Sequence, residues 1–226
     1  MLVVRRADGS RVEQFETAES LMARECRRIS LRGPIIGSPM RADYLGPTQI
    51  CESILAYNYL DRKAPIWLFI ESGGGDIDTA FALYDTIRMS KAPVYTVGQA
   101  CASAATLLLA AGVKRFLYQH ARVMLHLPSG VAQGDVREIA IRTQEFERVR
   151  DALVDAYIEC GVKKTRAEIL NDIDREMWLT PVEAIGYGLA DEIITSGALF
   201  DDCLGMRPLL PAEPPPASSD LREDAP

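Results

Sequence analysis

Short apolar runs alternate with segments of helical period along the middle of this chain, and that alternation limits the folds open to it. The runs are RISLRG (28–33), PIWLFIE (65–71), PVYTV (93–97), KRFLY (114–118), RVMLHL (122–127) and DEII (191–194). Runs this short and continuously apolar suit strands covered on both faces. Between them lie 42–61, 76–90 and 103–111. Ile50, Ile54 and Tyr57 recur at helical spacing in the first of these, and Thr79, Leu83 and Ile87 in the second. Strand and helix in turn predict stacked βαβ units, an α/β fold.

Residues 1–15 read as a hairpin turning at Asp8-Gly9. A pattern from Asp135 to Cys160 predicts one long helix, with Ile139, Phe146, Val149, Leu153 and Tyr157 forming its apolar stripe. At about 1.5 Å per residue such a helix outreaches a small domain and suggests packing on another subunit. After Gly205 the chain holds six of its thirteen prolines and few core formers, so 205–226 reads as a disordered tail.

Composition then excludes several classes. A net charge of −7 argues against a nucleic-acid partner. Ala100–Val113, the longest apolar stretch, is interrupted by Ser103 and Thr106 and is too short to cross a bilayer. No uninterrupted apolar segment follows the first basic residues, so a secretory signal is not expected. Five dispersed cysteines without a CxxC pair read as free thiols in a reducing, cytoplasmic setting.

Three segments carry candidate chemistry. ESGGGDIDTAF (71–81) follows an apolar strand and opens a helix, and its glycines can turn N–H groups toward a ligand. It lacks the GK[ST] and GxGxxG signatures of phosphate loops. The bland alternative is a plain glycine turn. GQACASAATLLLAAG (98–112) sets Ser103 among small residues where a strand meets a helix, the setting of an exposed nucleophile. Serine beside alanines is also an ordinary N-cap. RVMLHLPSG (122–130) sets His126 near a strand end. It is one of only two histidines, and histidine is the readiest general base near neutral pH. A hydrogen-bonded core histidine is the competing reading, and His120 in YQHAR reads as a surface residue.

Taken together and in order, these segments resemble the ClpP family of serine endopeptidases, the proteolytic subunits of Clp proteases, over roughly residues 17–196. ESGGGDI stands where the family has a Ser-Pro-Gly-Gly loop. FALYDTIR is similar to the helix after it, and GQACASAATLLLAAG and RVMLHLPSGVAQGDVREIAI are similar to the serine and histidine segments. VEAIGYGLADEII is similar to the closing helix and strand. The resemblance implies a ClpP/crotonase-like fold of repeated ββα units with the long helix as a handle. Residues 17–204 would form the peptidase domain and 1–16 an N-terminal hairpin or axial loop. It implies Ser103 as nucleophile, His126 as general base, and the Gly75 and Ala104 amides as oxyanion hole. Gly130, Val131, Ala132, Gln133 and Gly134 would pair with substrate as an added strand. Trp67 and Phe69 match positions that face a docking groove for an AAA+ unfoldase of the Clp type; the bland alternative is that both are core. Stacked seven-membered rings of this chain, homomeric or mixed with a paralogue, would enclose a chamber for unfolded polypeptides, and the subunit itself would need no cofactor.

Two departures stand out. Where the family has Arg-Asp-x-aromatic-Leu-Ser, this chain has Arg175-Glu176-Met177-Trp178-Leu179-Thr180, making Glu176 the aligned acid, with Asp172 and Asp174 close by. One residue more than usual also separates Gly98 from Ser103. Asn171, Asp172, Asp174 and Arg175 fall where family members make ring-to-ring ion pairs. Alternatives are a structural subunit with an impaired site, partnering an active paralogue, and a crotonase-type acyl-CoA enzyme.

Overall fold

The structure, a computed structural model, describes residues 2–5, 11–16, 22–23, 26–37 and 46–195. Strands β1 (Leu2–Arg5) and β2 (Arg11–Glu16) pair antiparallel. The Asp8-Gly9 turn expected between them and the Pro-rich segment 205–226 lie outside the described residues.

Four strands form a parallel array in the order β3 (Arg28–Arg32), β4 (Ile66–Ser72), β5 (Val94–Ala102) and β6 (Lys114–Leu125). Parallel neighbours need crossovers. Helices α1 (Pro47–Leu60), α2 (Ile77–Met89) and α3 (Ala104–Ala110) fill them. The α/β class read from the alternation is the class observed. KRFLY and RVMLHL, read as two strands, are one strand here. Its pairing with β5 jumps from Gly98↔Leu117 to Ala100↔Arg122, so 118–121 stand out of the ladder, with His120 exposed.

Beyond β6 come α4 (Val136–Glu159), α5 (Arg166–Asp172), β7 (Met177–Leu179), α6 (Pro181–Tyr187) and β8 (Glu192–Ile194). The short strand β7 pairs antiparallel with the end of β6, and β8 pairs parallel with its beginning.

Side chains alternate across β4, as strand geometry requires. Ile66, Leu68 and Ile70 enter the main core with Ile50, Ile54, Leu83, Leu107 and Tyr157. Trp67 and Phe69 enter a second cluster on the opposite face with Val97, Phe116 and Ile194. There Trp67 meets Tyr95 edge-on at 4.9 Å, and the Arg28 guanidinium lies 4.0 Å from the Phe69 ring centroid. Both rings are buried within the chain itself, 5% and 2% exposed, because the second sheet face folds aromatic against aromatic. Cys26, Cys51, Cys101 and Cys160 form no disulfide among the described residues, while Cys203 lies outside them.

Helix α4 begins at a capping box made by Asp135 and Glu138. At about 36 Å long, it buries only Leu153, Val154, Ala156 and Tyr157. Its first half stands clear of the core, and Val136, Ile139 and Ile141 are exposed. The sequence stripe therefore packs at its C-terminal end alone.

Asn58 holds the α1–α2 layer to the sheet. Its carboxamide oxygen accepts from the Lys91 and Ala92 amides, and its nitrogen donates to the Ile54 carbonyl and to Ser90 Oγ. Asn58→Ala leaves several of these groups without partners and is expected to cost about 2–3 kcal/mol, read from urea unfolding.

Candidate active site

β4, β5 and β6 end side by side, and each delivers one part of the site at its C-terminal edge, where open parallel sheets place ligands. β4 runs into Gly73-Gly74-Gly75, β5 into Ser103, and β6 into His126.

Ser103 has φ 57° and ψ −130°. It is one of two non-glycine residues with positive φ among the described residues, the other being Arg27. Such a backbone costs about 1–3 kcal/mol and persists only where its surroundings enforce it. Here the Ser103 amide donates to the Met124 carbonyl at 2.9 Å. The buried Thr106 hydroxyl lies 2.9 Å from that same carbonyl and 3.0 Å from that of Cys101. The turn is thereby tied to β6, the strand that carries the histidine. The extra residue before Ser103 is accommodated in the ladder: Ile70 pairs with Gly98 and Glu71 with Ala100, leaving Gln99 as a bulge.

His126 Nε2 lies 2.7 Å from Ser103 Oγ. The structure brings together the hydroxyl and imidazole that the sequence singled out 23 residues apart.

The glycine loop is clamped from two sides. The Ile35 amide donates to the Gly74 carbonyl, and the Ile35 carbonyl accepts from the Asp76 amide. On the other side, a Cβ on Gly74 would stand 2.7 Å from both the Ala102 carbonyl oxygen and Ser103 Cβ, and 2.9 Å from the Ala104 nitrogen. With φ of 89° as well, the position is built for glycine. Neither the Gly75 nor the Ala104 amide donates to another backbone group among the described residues, so both are free for a ligand oxygen. Asp76 caps α2 beside them. Hydrogen bonds from the Thr79 hydroxyl and amide hold its carboxyl below the usual carboxylate range.

A cavity of about 360 Å³ opens over the pair. Gly75, Ile77, Ser103, Ala104, His126 and Pro128 form one side, and Arg142, Glu145, Phe146, Val149 and Leu153 of α4 the other. The sequence reading took Phe146 and Val149 for packing stripe alone. Their half-buried state on an otherwise bare helix marks them as cavity wall. Gly130 lies against the Phe146 ring, 2.5 Å from it at the Cβ position, and Val131 lines the cavity while 84% exposed. Residues 128–134, spanning Gly130, Val131, Ala132, Gln133 and Gly134, make no backbone hydrogen bond among the described residues. Their amides and carbonyls are an open edge.

The acid candidates do not reach the imidazole. The Glu176 carboxylate accepts from the Trp178 indole at 3.0 Å. Asp172 accepts from the Tyr187 hydroxyl at 3.2 Å, and Asp174 is exposed beside Arg175 at 3.5 Å. Burial, and then the Asp172 charge, push the Tyr187 phenol up, which keeps it a donor. Among the described residues His126 is hydrogen-bonded to Ser103 alone.

The Clp protease family profile matches residues 27–197. The chain belongs to that family. The match spans β3 to the segment after β8 and so includes the whole site. Among curated relatives, ATP-dependent Clp protease proteolytic subunit 1 of Rhodopirellula baltica is 37% identical over 155 residues, 67% of each chain. Subunit 2 of Bifidobacterium longum is 35% identical over 151 residues, 66% of this chain and 72% of the relative. The chloroplastic subunit 4 of Arabidopsis thaliana is 29% identical over 201 residues, 86% of this chain and 68% of the relative.

Gly74→Ala is expected to push the Ser103 turn off the imidazole. Labelling of the serine by a fluorophosphonate should fall at least about 10²-fold, the scale of losing an oxyanion donor, while circular dichroism stays that of a folded protein.

Proposed function

We propose that this chain is the proteolytic subunit of an ATP-dependent Clp protease, a serine endopeptidase acting on unfolded polypeptide. The observation that carries the reading is the 2.7 Å contact of Ser103 Oγ with His126 Nε2, beside two amides with no backbone partner among the described residues. His126 takes the hydroxyl proton as Ser103 attacks the peptide carbonyl. The oxyanion that forms is held by the Gly75 and Ala104 amides. His126 then protonates the leaving amine, and water hydrolyses the acyl-enzyme by the same steps in reverse order of roles. Glu176 is the acid of this reading.

The open edge at 130–134 suits an added substrate strand. Recognition through main-chain bonds tolerates many sequences, and the apolar cavity side chains receive a residue flanking the cleaved bond. ATP hydrolysis belongs to a Clp-type AAA+ unfoldase that delivers the polypeptide. Trp67 and Phe69, being buried, would shape its docking surface only from beneath Tyr95 and Tyr118, the half-buried members of the same cluster.

The bare first half of α4 supports assembly into stacked seven-membered rings, where a second copy covers what this chain leaves exposed. Asn171, Asp174 and Arg175 are exposed polar groups suited to the same junction. No helix among the described residues is long and apolar enough to cross a membrane, which fits a cytoplasmic particle.

Ser103→Ala is expected to abolish both peptide cleavage and fluorophosphonate labelling while the particle stays assembled. Persistent labelling in that variant would place the nucleophile elsewhere and end the reading. Glu at both Ile139 and Ile141 is expected to halve the particle mass in sedimentation, and an unchanged mass would reject the handle contact.

A further inference from the structure

The acid of the site is engaged elsewhere, and the partner that engages it is an exposed aromatic ring. β7 pairs with β6 through Val123↔Leu179, Met124↔Trp178 and Leu125↔Met177. His126 and Glu176 are the next residues on the two chains, just beyond the last pair, before the Leu127 amide bonds the Ile173 carbonyl. Residues two apart on a strand share a face, so Trp178 and Glu176 lie on the face that carries Met124 and His126. Side chains directly opposed across an antiparallel pair have Cβ atoms about 4.5–5.5 Å apart. A glutamate there can turn to the imidazole by side-chain rotation alone.

It is turned the other way. Its Oε2 accepts from Trp178 Nε1 at 3.0 Å, although Trp178 is 47% exposed and its N–H could be hydrated instead. The ring is itself braced, with the Arg122 guanidinium 4.3 Å from its centroid. Arg122 belongs to the same row of β6, four residues before His126. An indole N–H only donates, and so does the imidazole Nδ1–H that remains once Nε2 faces Ser103. A carboxylate can accept from both, so what sets the two donors against each other is orientation: the rotamer that reaches Trp178 is one that does not reach the imidazole.

We propose that Trp178 is a positioning residue for the site: its indole, braced by Arg122, draws Glu176 into a resting orientation, and the imidazole is supported only when that bond is released. This rests on the reading of Ser103, His126 and Glu176 as the catalytic groups. It adds a residue that touches neither substrate nor the reacting atoms and acts through the acid.

The test uses the assembled full-length protein with a fluorophosphonate probe and a short peptide substrate. Trp178→Phe keeps an aromatic ring under Arg122 and deletes only the N–H. It is expected to speed labelling of Ser103 and raise kcat about three- to tenfold, the net weight of one ordinary hydrogen bond at an exposed site, with KM unchanged. In a Glu176→Ala background, itself slower, the same substitution should change nothing, because no carboxylate remains to be released. Arg122→Gln removes the brace without altering β7 and should act in the same direction, which keeps the test open if Trp178→Phe folds poorly. Labelling no faster than wild type in both variants, or an equal acceleration with alanine at 176, would overturn the role of Trp178 while leaving the peptidase reading intact. Labelling that survives Ser103→Ala would overturn both.

Discussion

Parallel registration of β4, β5 and β6 is the constraint from which the site follows. Backbone hydrogen bonding fixes where each strand ends relative to its neighbour, and the three ends deliver an amide-rich loop, a hydroxyl and an imidazole. A slip of one residue would reverse every side chain between the two sheet faces. It would exchange Leu68 and Ile70 for Trp67 and Phe69 in the main core, so the packing that stabilises the sheet also sets the chemistry. The irregularities are confined to places where they do no harm to this arrangement. Gln99 is left unpaired before the ladder resumes at Ala100, and 118–121 of β6 have no partner on β5 before that pairing resumes at Arg122.

Strain is concentrated where the pairing can support it. Ser103 occupies a backbone region that a serine rarely adopts, held by its own amide and by Thr106, both directed at the Met124 carbonyl. Gly74 fills the space behind it, where no side chain fits. Hydrogen bonding on one side and close packing on the other leave the turn little alternative, and a preset geometry lowers what must be reorganised when a carbonyl is attacked.

Much of this was legible in the sequence. The strand runs around β4 and β5 and helices α1 to α4 follow from period, while the pairing of Ser103 with His126 is what the resemblance to the ClpP family implied. What stayed hidden has physical causes. β7 is three residues long, too short for period two to register, yet it decides where Glu176 sits. The aromatic pair Trp67 and Phe69 reads equally as a surface groove or as core, since alternation reveals a shared face but not what covers that face. The cavity wall at Arg142, Glu145 and Phe146 depends on how a long helix leans over the sheet, and helical period says nothing about lean.

Helix α4 is anchored at one end like a cantilever. Its last turns are packed on the domain, while the stretch bearing Arg142 and Glu145 has the cavity on one side and no neighbour among the described residues on the other. A beam fixed in this way transmits load from its tip to its root. Whatever rests on the outer surface of α4 bears on a helix that is also one wall of the cleft, so the two faces belong to a single rigid element.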